Sequence, residues 1–148
     1  MYRKALLAHR QIFLILLLGA LLLSACQRTA APQTPVGQVV AVPGGVYTDI
    51  GVAELQTMLA NKDFTFVNVH TPFEGDIAKT DLSIPYDQIE HNLNRLPTDK
   101  NAKIVLYCRS GRMSSIAAKT LVGLGYTNVW NVSGGMVSWE QAGLPIER

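Results

Sequence analysis

Three short apolar runs alternate with segments of helical period, and that alternation confines the chain to a narrow set of folds. The runs are FTFVNV at 64–69, IVLY at 104–107 and VWNV at 129–132. Each is short and rich in β-branched or aromatic side chains, as strands buried in a parallel sheet are. Between them, Val52, Leu55, Met58 and Leu59 share one helical face, and Ala117, Thr120, Leu121 and Leu124 recur at i, i+3, i+4 and i+7. Ser114 or Ser115 is expected to cap the second helix and Gly123 or Gly125 to end it. Strand and helix in alternation predict an α/β domain with a mostly parallel sheet. In such sheets ligands meet the carboxyl ends of the strands.

The chain divides into three parts. Residues 1–25 begin with Arg3, Lys4 and Arg10 and continue into the apolar run 12–23. A bilayer span needs about 20 apolar residues, whereas a signal-peptide core needs about 7 to 15, so a signal peptide is expected. The segment Leu23-Ser24-Ala25-Cys26 resembles the lipobox of bacterial lipoproteins. That resemblance implies cleavage before Cys26 and acylation of its sulfur and new amino terminus, with palmitate among the acyl chains. Two or more chains hold a protein stably at a membrane, while one is marginal. The expected place is therefore the extracytoplasmic face of a bacterial cell envelope, through a lipid anchor. Residues 26–45, with Pro32, Pro35, Pro43, Gly37, Gly44 and Gly45, read as a flexible tether. Only Val39 to Val42 is apolar there, a lone candidate strand. Residues 46–148 are the expected folded domain, long enough for one core.

Charge excludes one class of partner. The formal net of +2 includes the three basic residues of the leader; beyond residue 25, ten Lys/Arg face eleven Asp/Glu, a net of −1. Without a basic stripe, nucleic acid is not an expected partner.

The chemistry concentrates where IVLY runs into Cys108-Arg109-Ser110-Gly111-Arg112-Met113 just before a helix. A cysteine there faces the positive end of a helix and its free N–H groups. A curled loop turns further N–H groups inward as an anion nest. Gly111 permits the tight turn, and Arg109 and Arg112 add positive charge. The alternative for such a cysteine is a buried, inert thiol at a strand end. Cys26 and Cys108 allow one disulfide by count, but their contexts argue against pairing.

From Tyr107 to Pro145 the chain resembles the C-terminal half of single-domain rhodaneses. The resemblance rests on the Cys108 loop, Ala117-Ala118, Leu124-Gly125-Tyr126, Gly134-Gly135, Trp139 and Gly143-Leu144-Pro145 in matching order and spacing. It implies a rhodanese-like α/β fold, a mostly parallel five-stranded sheet flanked by helices. It also implies a sulfurtransferase, in which Cys108 takes sulfane sulfur from a donor such as thiosulfate, holds it as a persulfide and yields it to a thiol or cyanide acceptor. Arg109, Ser110, Gly111, Arg112 and Met113 would bind the anionic donor and cradle the persulfide, and neither cofactor nor metal is implied.

The chain departs from the family in two places. Met113 stands where the loop often carries Arg, and Asn68-Val69-His70 replaces an Asp-x-Arg that elsewhere supports the site. His70 is either an auxiliary acid, base or hydrogen-bond donor, or a structural histidine. His91 has no assigned role, and Asp76 and Asp81 lack histidines at metal-ligand spacing. Cysteine phosphatases place Arg six positions after the cysteine; here that position is Ser114. A redox sensor would lack a resolving cysteine once Cys26 is acylated. The remaining rival is a non-catalytic persulfide carrier or protein-interaction module.

Overall fold

The structure is a computed structural model, and it describes residues 36–148. The expected signal peptide, Cys26 and the first part of the expected tether lie outside the described residues. In chain order the elements are β1 (Gln38–Val42), β2 (Gly45–Ile50), α1 (Val52–Ala60), β3 (Thr65–Asn68), β4 (Asp76–Ile77) and β5 (Leu82–Ser83). Two 3-10 segments follow, Tyr86–Gln88 and Glu90–Arg95, the second carrying His91. Then come β6 (Ile104–Tyr107), α2 (Arg112–Gly123), β7 (Val129–Val132), α3 (Gly135–Gln141) and β8 (Ile146–Glu147).

The main sheet has the order β1-β2-β7-β6-β3-β5. From β2 to β5 every pairing is parallel, which gives the five parallel strands that the family resemblance implies. β1 is a sixth strand, antiparallel to β2 at the edge. β4 and β8 form a separate antiparallel pair.

The sheet alternates its side chains between two cores. Val67, Val69, Ile104 and Leu106 pack with Ala117, Ala118 and Leu121 of α2. Phe66, Val105 and Tyr107 point the other way, against Leu55 and Leu59 of α1 and Met136 and Trp139 of α3. This period-two split is why β6, flanked by β3 and β7, is buried along its whole length. The sequence's helical face at Leu55 and Leu59 is buried as the spacing predicts.

Two helix ends differ in how well sequence foretold them. α2 closes in a Schellman arrangement: Gly125 has φ +89°, its N–H reaches the Val122 carbonyl, and the Tyr126 N–H reaches the Leu121 carbonyl. The expected glycine stop is therefore correct. The expected serine cap is not: Gly111, at φ +91°, is the N-cap, and Ser114 lies inside the first turn.

The expected tether boundary at Val46 also moves. Folded structure begins at Gln38, because Pro43 and Gly44 join two strands instead of loosening the chain. Val42 pairs with Gly45 across them, and Gly44 has φ +92°. Proline followed by a glycine at positive φ is the order a type II turn requires. The Gly37 N–H donates to Glu54 Oε1 at 3.0 Å, fastening the start of the hairpin to α1.

Candidate active site

Cys108 sits one residue beyond β6 and is 1% exposed. Its Sγ accepts the Gly111 N–H at 3.1 Å and the Ser114 hydroxyl at 3.4 Å. Ser114 is fully buried, and its single hydroxyl proton is shared with the Gly111 carbonyl, 3.1 Å from Oγ. The residue expected as a cap is thus a direct neighbour of the sulfur. Sequence offered one signal for it: position Cys108 plus six falls on the first turn of the following helix, on its inward face.

The loop is bent from behind. The Met136 N–H donates to the Cys108 carbonyl and the Val137 N–H to the Arg109 carbonyl, both at 2.9 Å. With these carbonyls drawn toward α3, the loop's opposite side presents the Gly111 N–H to the sulfur. The first N–H groups of α2 have no intrahelical acceptor and add to that field. Such close approach explains the glycine pair. A Cβ on Gly135 would stand 2.1 Å from the Cys108 carbonyl oxygen, and one on Gly134 2.0 Å from Ser138 Oγ. Trp139 then fixes the chain after α3 by donating its indole N–H to the Pro145 carbonyl at 2.9 Å.

The other loop residues have distinct fates. Ser110 and Arg112 are exposed, Gly111 is half-buried, and Met113 packs against the α2-side core. Met113 therefore contributes apolar contact where an arginine would have supplied charge. Arg109 is exposed and bonds to Glu74 through Nη1 and Oε2.

Asn68, at the end of β3, takes over support of the neighbouring loop. Its Nδ2 donates to the Gly75 carbonyl and to Asp76 Oδ1, each at 2.9 Å, and its Oδ1 accepts the His70 N–H at 2.9 Å. This clasp closes residues 68–75 beside Cys108, since Asn68 pairs in register with Tyr107. His70 is brought to Glu74, not to the sulfur. Its Nε2 is 3.4 Å from Glu74 Oε1, and neither buried ring nitrogen makes a well-aligned hydrogen bond. His70 first and Arg109 second hold the Glu74 carboxyl below the ordinary glutamate range.

Beneath the site, Tyr107 Oη accepts the Ile77 N–H at 3.0 Å, lies 2.7 Å from Thr80 Oγ1 and donates to Asp76 Oδ1 at 3.0 Å. Burial pushes its phenol well above the usual tyrosine range. Among the described residues no three His, Cys, Asp or Glu side chains gather as metal ligands would.

Comparison with known proteins follows the same outline. The rhodanese-like domain family matches residues 52–142. A sulfurtransferase from Allochromatium vinosum is 35% identical over 94 residues, covering 62% of this chain and 85% of that protein. A tRNA uridine(34) hydroxylase from Erwinia tasmaniensis is 30% identical over 113 residues, but the chain spans only 32% of its length. Among solved structures, a rhodanese-like domain protein from Staphylococcus aureus has a TM-score of 0.57 at 34% identity, covering 68% of this chain and 98% of that one. A rhodanese-related protein from Thermoplasma volcanium has a TM-score of 0.57 at 32% identity, covering 66% and 95%.

Proposed function

The chain belongs to the rhodanese-like domain family, and from that premise we propose that it is an envelope-anchored sulfurtransferase working through a Cys108 persulfide. One observation carries the reading: Cys108 Sγ lies at the mouth of a helix N-terminus with the Gly111 N–H and the Ser114 hydroxyl directed at it. An inert core thiol would be surrounded by carbon.

The chemistry is two displacements at sulfur. The Cys108 thiolate attacks the outer sulfur of thiosulfate. A new S–S bond forms, the old one breaks, and sulfite leaves with the electron pair. The terminal persulfide sulfur now carries the negative charge, within reach of the loop N–H groups. An acceptor such as cyanide attacks that sulfur, leaves as thiocyanate and returns Cys108 as thiolate. Donors bound by the loop are positioned by hydrogen bonds aimed at a developing anion, the arrangement that contributes most in transfer sites of this kind.

The anchor is a reading of residues 12–26. The apolar run and Leu23-Ser24-Ala25-Cys26 support export and acylation at Cys26. The domain would then work on small sulfur anions outside the cytoplasm, held to a membrane by its lipid. Steady-state kinetics of the full chain in detergent, with thiosulfate, a thiol persulfide and mercaptopyruvate as donors, test the activity. Turnover with at least one donor, lost in Cys108→Ser, is expected. Absence of turnover with all three would favour a non-catalytic carrier or interaction module.

A further inference from the structure

The sequence places two arginines in the loop, but the structure leaves only one of them uncompensated. Arg112 makes no ion pair among the described residues, whereas Arg109 is engaged by Glu74. Glu74 uses both carboxylate oxygens, Oε2 toward Arg109 and Oε1 toward His70. It is not placed there by chance packing. The Asn68 clasp on Gly75, Asp76 and the His70 N–H closes the loop that carries it. The parallel register of β3 and β6 sets that loop next to Arg109.

A carboxylate at the mouth changes which donor fits. A dianion meets one free cation and one neutralised pair. A donor with a single negative charge meets the same field with half the repulsion from Glu74. We propose that Glu74 is a positioning residue for donor selectivity: by masking Arg109 it tunes the Cys108 site toward donors bearing at most one negative charge. The proposal rests on Cys108 being the nucleophile of the reading above.

The test uses two probes of equal chemistry and different charge, S-methyl methanethiosulfonate and its anionic 2-sulfonatoethyl counterpart. Each passes its thioalkyl group to the cysteine: a new S–S bond forms and methanesulfinate departs with the electron pair. Rates are read by mass at the Cys108 peptide, in the full chain held in detergent. Glu74→Gln is expected to raise the anionic-to-neutral rate ratio about three- to tenfold at low salt, as removal of one unit charge at this range does. The gain shrinks as salt shortens the screening length, and it disappears in the Glu74→Gln/Arg109→Gln double variant. An unchanged ratio, or equal shifts of both rates, would overturn the proposal. The kcat/KM for thiosulfate should rise by a similar factor in Glu74→Gln. If the probe ratio shifts as expected while no sulfane donor charges Cys108 in the wild type, the selectivity role stands and the sulfurtransferase reading fails. If Cys108 is charged but the ratio stays fixed, the reverse holds.

Discussion

Ser114 shows how a residue can be legible in kind yet misread in role. A serine before a helical run is a reasonable cap, but Gly111 takes that position, and the single Ser114 hydroxyl proton is shared between Cys108 Sγ and the Gly111 carbonyl. A hydrogen bond to a charged group is worth about 1.5 to 3 kcal/mol, and sharing the proton with the Gly111 carbonyl puts this one at the lower end. Ser114→Ala should therefore lower kcat/KM about tenfold with little change in thermal unfolding; an unchanged rate would remove Ser114 from the site. Gly135→Ala should be far more severe, because its Cβ would meet the Cys108 carbonyl at 2.1 Å. Loop distortion and a positive φ of +53° together predict a loss of about 2 to 4 kcal/mol, read by denaturant unfolding. Cys108 itself was evident from its place between IVLY and a helix. Glu74 was not, since its link to Arg109 spans 35 positions and only the fold joins them. Tyr107→Phe would leave the Ile77 N–H without its acceptor, a cost of about 1 to 3 kcal/mol. The same phenol gives a pH signature. Its folded-state pKa is raised, so its contribution is full below the unfolded value of about 10 and declines as pH rises above it. Loss of stability above pH 10 should be shallower in Tyr107→Phe, with Tyr47, also raised by burial, acting in the same direction.

At the level of elements, the parallel sheet and its helices were readable because each buried strand is a continuous apolar run and each helix repeats its apolar face. Val39 to Val42 is legible as a lone strand, but its pairing with β2 in a hairpin is not. β1 is a single five-residue strand set between the polar, proline-containing segment 27–37 and the Pro43-Gly44 turn, so the prolines and glycines around it imitate a linker. The structural consequence is measurable. A fragment beginning at Val46 exposes β2 as an edge and discards the Gly37–Glu54 hydrogen bond. It should unfold at least about 5 °C below a fragment beginning at Val36, equivalent to about 1 kcal/mol or more for a domain of this size. Equal melting temperatures would show that β1 is dispensable.

For the molecule as a whole, the proposed function divides the work between two cysteines: Cys26 would set where the chain resides and Cys108 what it does. Exported and acylated protein should partition into the detergent phase and incorporate labelled palmitate, and Cys26→Ala should do neither. Label retained in that variant would disprove acylation at Cys26. The central claim is the persulfide, and intact-protein mass spectrometry addresses it without assuming any acceptor. Brief exposure of the reduced full chain to a sulfane donor, followed by acid quench, should add about 32 Da, one sulfur atom, at Cys108. The adduct should vanish on treatment with cyanide and never form in Cys108→Ser. An unmodified Cys108 after exposure to thiosulfate and to a thiol persulfide, or an adduct that persists in Cys108→Ser, would contradict the account.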